Sequence, residues 1–158
     1  MSRHTSKVAL VPSAFFDAAS AREILSGTVL LDEEDKVEYI SLPEFSAELV
    51  YSLSEAAEPG EGPELYFVLK ALSGIDEHNK IVASYSDGVL SLAVAQGGEL
   101  LLANVFEAAD FTTAEYFIFM AVRKLQMNPE VSTIHFLTPL SAEEEMSLYR
   151  YFKSVEQQ

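Results

Sequence analysis

Asp87 and Gly88 stand side by side between two apolar, strand-like stretches at residues 80–86 and 89–95. An acid next to a glycine in such a turn has two chemical readings. Glycine lets backbone N–H groups approach phosphate oxygens while a carboxylate handles magnesium or water, so the pair can grip a nucleotide. The same dipeptide is also the strongest short-range signal for a two-residue type I′ hairpin turn, in which both central residues take positive φ. The hairpin is the better fit. A phosphate contact through Asp87 and Gly88, with Mg-ATP as cofactor, is the alternative.

Other residues with chemical potential give less. His4, His78 and His135 fall at the chain start, in a loop and on a strand, and no two have metal-ligand spacing, so they read as structural or surface residues. The run Asp32-Glu33-Glu34-Asp35 offers carboxylates for calcium but lacks the alternating ligands and central glycine of an EF-hand loop, and it reads as a solvated acidic loop. With no cysteine in the chain, disulfides, thiolate zinc sites and cysteine nucleophiles all drop out. Gly-x-Ser-x-Gly, His-Glu-x-x-His, Walker-type and dinucleotide patterns are missing, and Gln96-Gly97-Gly98 is not followed by the helix that a phosphate loop needs. No catalytic residue and no metal site is expected.

The chain has 158 residues, with 10 Lys+Arg against 25 Asp+Glu and a net charge of −15. Such a charge repels phosphate backbones and anionic leaflets, so nucleic acid is an unfavourable partner. No apolar run approaches the roughly twenty residues of a spanning helix, and Val8-Ala9-Leu10-Val11 before Pro12 is too short for a signal peptide. The expected compartment is the cytoplasm. At 49% hydrophobic and 11% aromatic residues, the chain can bury a core as one domain or two small lobes.

The elements that must carry these residues follow from pattern. Residues 7–11 read as a strand stopped by Pro12, 13–25 as a helical stretch ended by Gly27, 37–40 as an edge strand and 47–53 as another strand. Two prolines and two glycines within 58–63 mark a boundary, giving a partial N-terminal lobe at 1–57 and a C-terminal lobe at 58–158. After Pro63, Leu65, Val68, Leu69 and Leu72 recur at helical spacing up to Gly74. Residues 80–106 form a three-stranded meander, with Leu90, Leu92 and Val94 sharing one face. Thr112 with Glu115 is read as a capping box opening a helix to Leu125, whose aromatic run 116–120 is either core or a docking face for a partner. A strand at 132–137 follows, and Ser141 with Glu144 caps a last helix containing Met146, Tyr149 and Phe152.

The C-terminal lobe thus reads β-β-β-α-β-α, an α/β arrangement that is the core of the ribonuclease-H-like fold shared by two-metal nucleases and actin-like ATPases. A two-metal site needs acids on the first and fourth strands, and neither stretch has one, which excludes the nuclease. Actin-like ATPases grip phosphate with Asp-x-Gly, whereas Asp87 and Gly88 are adjacent.

Val8-Ala9-Leu10-Val11-Pro12 followed by Phe15-Phe16-Asp17, then Leu49-Val50-Tyr51, then the stretch Gly98 to Phe106 with its Leu-Leu-x-Asn-x-Phe, and the helix after Thr112 together resemble a Bacteroidetes domain-of-unknown-function family with an actin-like ATPase fold. The resemblance implies a two-lobed relative of pilus-assembly and cell-division actin homologues and implies no activity. Members of that family carry more chain before the first strand and a terminal strand after the last helix, so this chain is expected to be a short member or a fragment. The function expected is a non-catalytic module that binds a partner protein or itself, with an ATP-binding actin-family protein as the alternative. Because the chain ends six residues after Phe152, no fifth strand is expected, and the 132–137 strand should be an edge filled by residues 7–11 or by a second copy.

Overall fold

The meander is where local chemistry dictates structure most directly, and the rest is assembled around it. In the computed structural model, which describes residues 2–3, 5–53 and 62–157, the chain begins with a two-residue strand β1 (Ser2–Arg3) and then β2 (Val8–Pro12). The expected helix at 13–25 shrinks to two 3-10 turns and a short α1 (Ala21–Ser26), with Phe15 left 80% exposed. Asp17 explains the break: its side chain accepts the Ala19 N–H and restarts the chain as a turn. β3 (Glu38–Leu42) and β4 (Ala47–Tyr51) complete an antiparallel sheet of order β2-β4-β3, with β3 on the edge as its weak alternation suggests.

The boundary expected at 58–63 lies mostly outside the described residues; Gly62–Pro63 form β5, paired parallel with β1. Pro63 then caps α2 (Glu64–Ser73), whose Leu65, Val68, Leu69 and Leu72 are all buried. The meander is β6 (Asn79–Ser86), β7 (Val89–Gln96) and β8 (Glu99–Glu107), antiparallel throughout. Leu90, Leu92 and Val94 pack against Ile118 and Val122 of α3 (Phe111–Lys124). Ala93 and Ala95, on the opposite face of β7, share a second core with α2 and with Val8, Leu42, Leu49 and Tyr51 of the N-terminal sheet. β9 (Thr133–Phe136) lies parallel to β6, and α4 (Ala142–Tyr149) carries the complete Ser141–Glu144 capping box.

Further expectations are corrected. The chain does not end in a polar tail after Phe152: β10 (Ser154–Gln157) pairs parallel with β9 over all four residues, giving the order β10-β9-β6-β7-β8. Buried Val155 is its only apolar side chain, too little pattern to reveal a strand whose partner lies about twenty residues away. The 132–137 strand is therefore not an edge awaiting a second copy, and residues 7–11 pair with β4 instead. The cap of α3 is Asp110, which accepts the Thr113 N–H, and Glu115 is buried against α4 rather than folded back on Thr112. α4 ends at Tyr149, so Phe152 lies past the helix, where it is buried; within α4 the buried residue is Leu148, while Met146 and Tyr149 face outward.

Candidate functional site

Asp87 and Gly88 join β6 to β7 with φ of 53° and 73°, and Ser86 faces Val89 across the ladder. Both residues are left-handed, as a type I′ turn demands. The Gly88 carbonyl accepts the Ala108 N–H at 2.8 Å, tying the turn to the loop after β8. A Cβ at position 88 would lie 3.6 Å from the Ala108 carbonyl oxygen.

Tyr85 organises the surrounding loops. Its hydroxyl donates to the Ala108 carbonyl at 2.7 Å, its backbone N–H donates to Thr138 Oγ1 at 2.9 Å, and its ring meets Phe111 edge-on. Burial, then the Asp110 and Glu144 carboxylates, push its phenol above the usual value. The β6–β7 turn, the β8–α3 loop and the β9–α4 loop are thus held together at one end of the sheet.

Two of the acids at this end are committed to local structure. Asp110 accepts the Thr113 N–H and hydroxyl, both at 2.8 Å, and these bonds hold its carboxyl below the usual range. Glu144 Oε1 accepts the Ser141 N–H at 2.8 Å, while Ser141 Oγ accepts the Glu144 N–H at 3.1 Å. Residues 84–90, 107–111 and 137–144 contain Asp87, Glu107, Asp110, Glu143 and Glu144 and no lysine or arginine.

The remaining sequence candidates lie apart from this turn. His135 is buried on β9, with Nε2 3.1 Å from Glu77 Oε2 and Nδ1 3.3 Å from Glu156 Oε2, so it sits between a loop carboxylate and the last strand. The second contact is close enough for an ion pair but not aligned as a hydrogen bond. His78 packs beside Gly97, and His4 lies outside the described residues. The acidic loop is solvated at Asp32, Glu33 and Glu34, while Asp35 is half-buried: Lys7 Nζ donates to Asp35 Oδ2 at 2.6 Å, and the Arg22 guanidinium donates to the Asp32 and Asp35 carbonyls. The Lys7 hydrogen bond first, then the Asp32 N–H that donates to the same Oδ2 at 2.7 Å, hold the Asp35 carboxyl below its usual range, with the Lys7 and Arg22 charges adding to the effect.

Sequence reasoning missed two buried polar pairs. Ser84 Oγ donates to Glu64 Oε1 at 2.8 Å beneath α2, and Ser147 Oγ reaches both oxygens of Glu115 between α4 and α3. Each glutamate lies in an otherwise apolar helical stripe, and that interruption was the available signal. Of the aromatic run in α3, Phe117 stacks on Phe106 and Phe119 contacts Tyr151 and Phe152, while Tyr116 is 61% exposed.

Among the described residues no helix is long and apolar enough to cross a membrane. None of the curated proteins matches the chain. Among solved structures, a Bacteroides thetaiotaomicron protein with actin-like ATPase fold and unknown function superposes with a TM-score of 0.80 at 18% identity. The superposition covers 99% of this chain and 66% of that one, so this chain spans about two thirds of its neighbour's length. The fold is therefore the actin-like ATPase fold, as the order of elements and the resemblance both implied. The family model described as "Protein of unknown function (DUF3822)" matches residues 65–155, from the first turn of α2 to the middle of β10, and the chain belongs to that family.

Proposed function

We propose that this protein is a nucleotide-silent member of the actin-like fold that acts by binding another protein. The observation that carries the reading is the environment of the Asp87-Gly88 turn. The adjoining loops carry five carboxylates and no lysine or arginine, and two of the acids, Asp110 and Glu144, are engaged in capping their own helices. A triphosphate brought there meets like charge at close range, which costs binding energy unless cations intervene. The lack of a lysine or arginine in these loops supports the nucleotide-silent reading. The compartment that goes with this reading is the cytoplasm, in keeping with a chain that has no cysteine.

The second reading is Mg-ATP binding at Asp87 and Gly88, with the missing cationic groups supplied by another chain; the actin-like fold itself favours it. Thermal shift separates the two. A ligand at a hundred times its dissociation constant stabilises by about 2.7 kcal/mol, so millimolar Mg-ATP should raise Tm by less than about 2 °C under the first reading. A larger rise that disappears in Asp87→Ala establishes the second.

A further inference from the structure

β8 is one of the two edge strands of the five-stranded sheet, β10 being the other. It pairs with β7 alone among the described strands, and none of its nine residues is buried, whereas six of the eight in β7 are. Ala108 N–H points to β7, through Gly88, so by the alternation of an antiparallel ladder the N–H groups of Val105 and Glu107 point outward. At Val105 this is directly visible: its N–H donates to Asn104 Oδ1 at 2.9 Å, an edge amide satisfied by a neighbouring side chain instead of a strand. Apolar Leu100, Leu102, Ala103, Val105 and Phe106 make this a strand edge with neither lysine nor proline to discourage pairing.

Both ends of that edge are acidic. Exposed Glu99 opens β8 and exposed Glu107 closes it, eight residues apart in a chain of net charge −15. Beside the Glu99 end lies a cleft of about 450 Å³ between β2 and the β7–β8 hairpin, walled by Leu10, Phe45, Ala47 and Leu100, with Glu44 and Glu99 at its rim. A second copy is a poor occupant. Antiparallel self-pairing centred on Ala103 would set Glu99 opposite the second copy's Glu107 at each end, and like charges directly opposite destabilise a strand pair.

We infer that the β8 edge receives an extended segment of a different protein, apolar along its middle and bearing Lys or Arg at both ends. The ladder supplies the hydrogen bonds, Glu99 and Glu107 select the basic ends, and the cleft takes one apolar side chain. Asn104 swings off the Val105 amide when the strand arrives. This inference rests on the protein-binding reading and names the surface that serves it.

The test uses the full chain, isotope-labelled, and a synthetic peptide of alternating valine and threonine flanked by lysines. Amide shifts concentrated at residues 99–107 are expected, with affinity reduced at least about tenfold in Glu99→Lys/Glu107→Lys, a double reversal of exposed charge. Val105→Pro removes an outward N–H that β7 does not use and should abolish the shifts; if that variant fails to fold, the charge reversal decides. Shifts spread over the whole acidic surface overturn the inference. Equal binding of a glutamate-flanked peptide, or β8-mediated dimerisation without peptide, does so too. Mg-ATP added to the same sample reports separately at Asp87 and Gly88: shifts there overturn the nucleotide-silent reading without touching the result at β8.

Discussion

Ser147 of α4 places its hydroxyl 2.7 and 3.0 Å from the two carboxylate oxygens of Glu115 on α3, and Glu115 is 8% exposed. A buried carboxylate is tolerated because that hydroxyl replaces part of its lost water. Ser147→Ala leaves the acid without this partner and should destabilise by about 1–3 kcal/mol in urea melts. Replacing both residues, Glu115→Leu with Ser147→Ala, should recover most of the loss. A double variant no more stable than Ser147→Ala would mean that the pair is not what limits this contact.

Gly88→Val forces a β-branched residue to φ of 73° beside the Ala108 carbonyl. The expected cost is about 1–3 kcal/mol. Wild type and variant with coincident urea midpoints would show that the turn tolerates the side chain.

Deleting residues 154–158 strips β10 from β9 and uncovers Thr133–Phe136, an edge with no charged or proline residue to block pairing. The truncated chain should self-associate in sedimentation experiments and lose amide protection at Ile134 and Phe136. A monomer with full protection there would show that β10 is dispensable.

Tyr51 Oη donates to Glu38 Oε2 at 3.2 Å, and burial first, then the Glu38 charge, push the phenol up to about 12. The folded pKa exceeds the unfolded value near 10, so the stabilisation is complete below pH 10 and is lost as pH rises toward 12. Tyr51→Phe should flatten this alkaline limb in Tm measured against pH. An unchanged limb would assign it to another group.

The legible parts of the chain were those whose cause is local. Asp87-Gly88 specifies a hairpin because few dipeptides accept two positive φ values in succession, and the meander followed from it. The stripe Leu65, Val68, Leu69 and Leu72 gave α2 for a similarly short-range reason. β10 was illegible because Ser154-Val155-Glu156-Gln157 carries one apolar residue, and its identity as a strand comes from Thr133–Phe136 across α4. The α3 cap was misread by two residues because Thr112-x-x-Glu115 satisfies the capping pattern while Asp110-x-x-Thr113 supplies the actual bond. At the candidate site, Asp87 and Gly88 were visible in sequence, but the commitment of Gly88, Asp110 and Glu144 to neighbouring backbone depends on loops that meet only in three dimensions.

The second core joins Val8, Leu42, Leu49 and Tyr51 of the small sheet, Leu65, Val68, Leu69 and Leu72 of α2, and Val82, Ala93 and Ala95 of the large sheet in one apolar cluster. Neither sheet can melt without exposing the other's apolar face, so denaturation should be cooperative and appear in calorimetry as a single heat-absorption peak. The same coupling should make the two sheets move as one body. Sliding one sheet over the other would unpack the apolar side chains that both contribute to that shared layer.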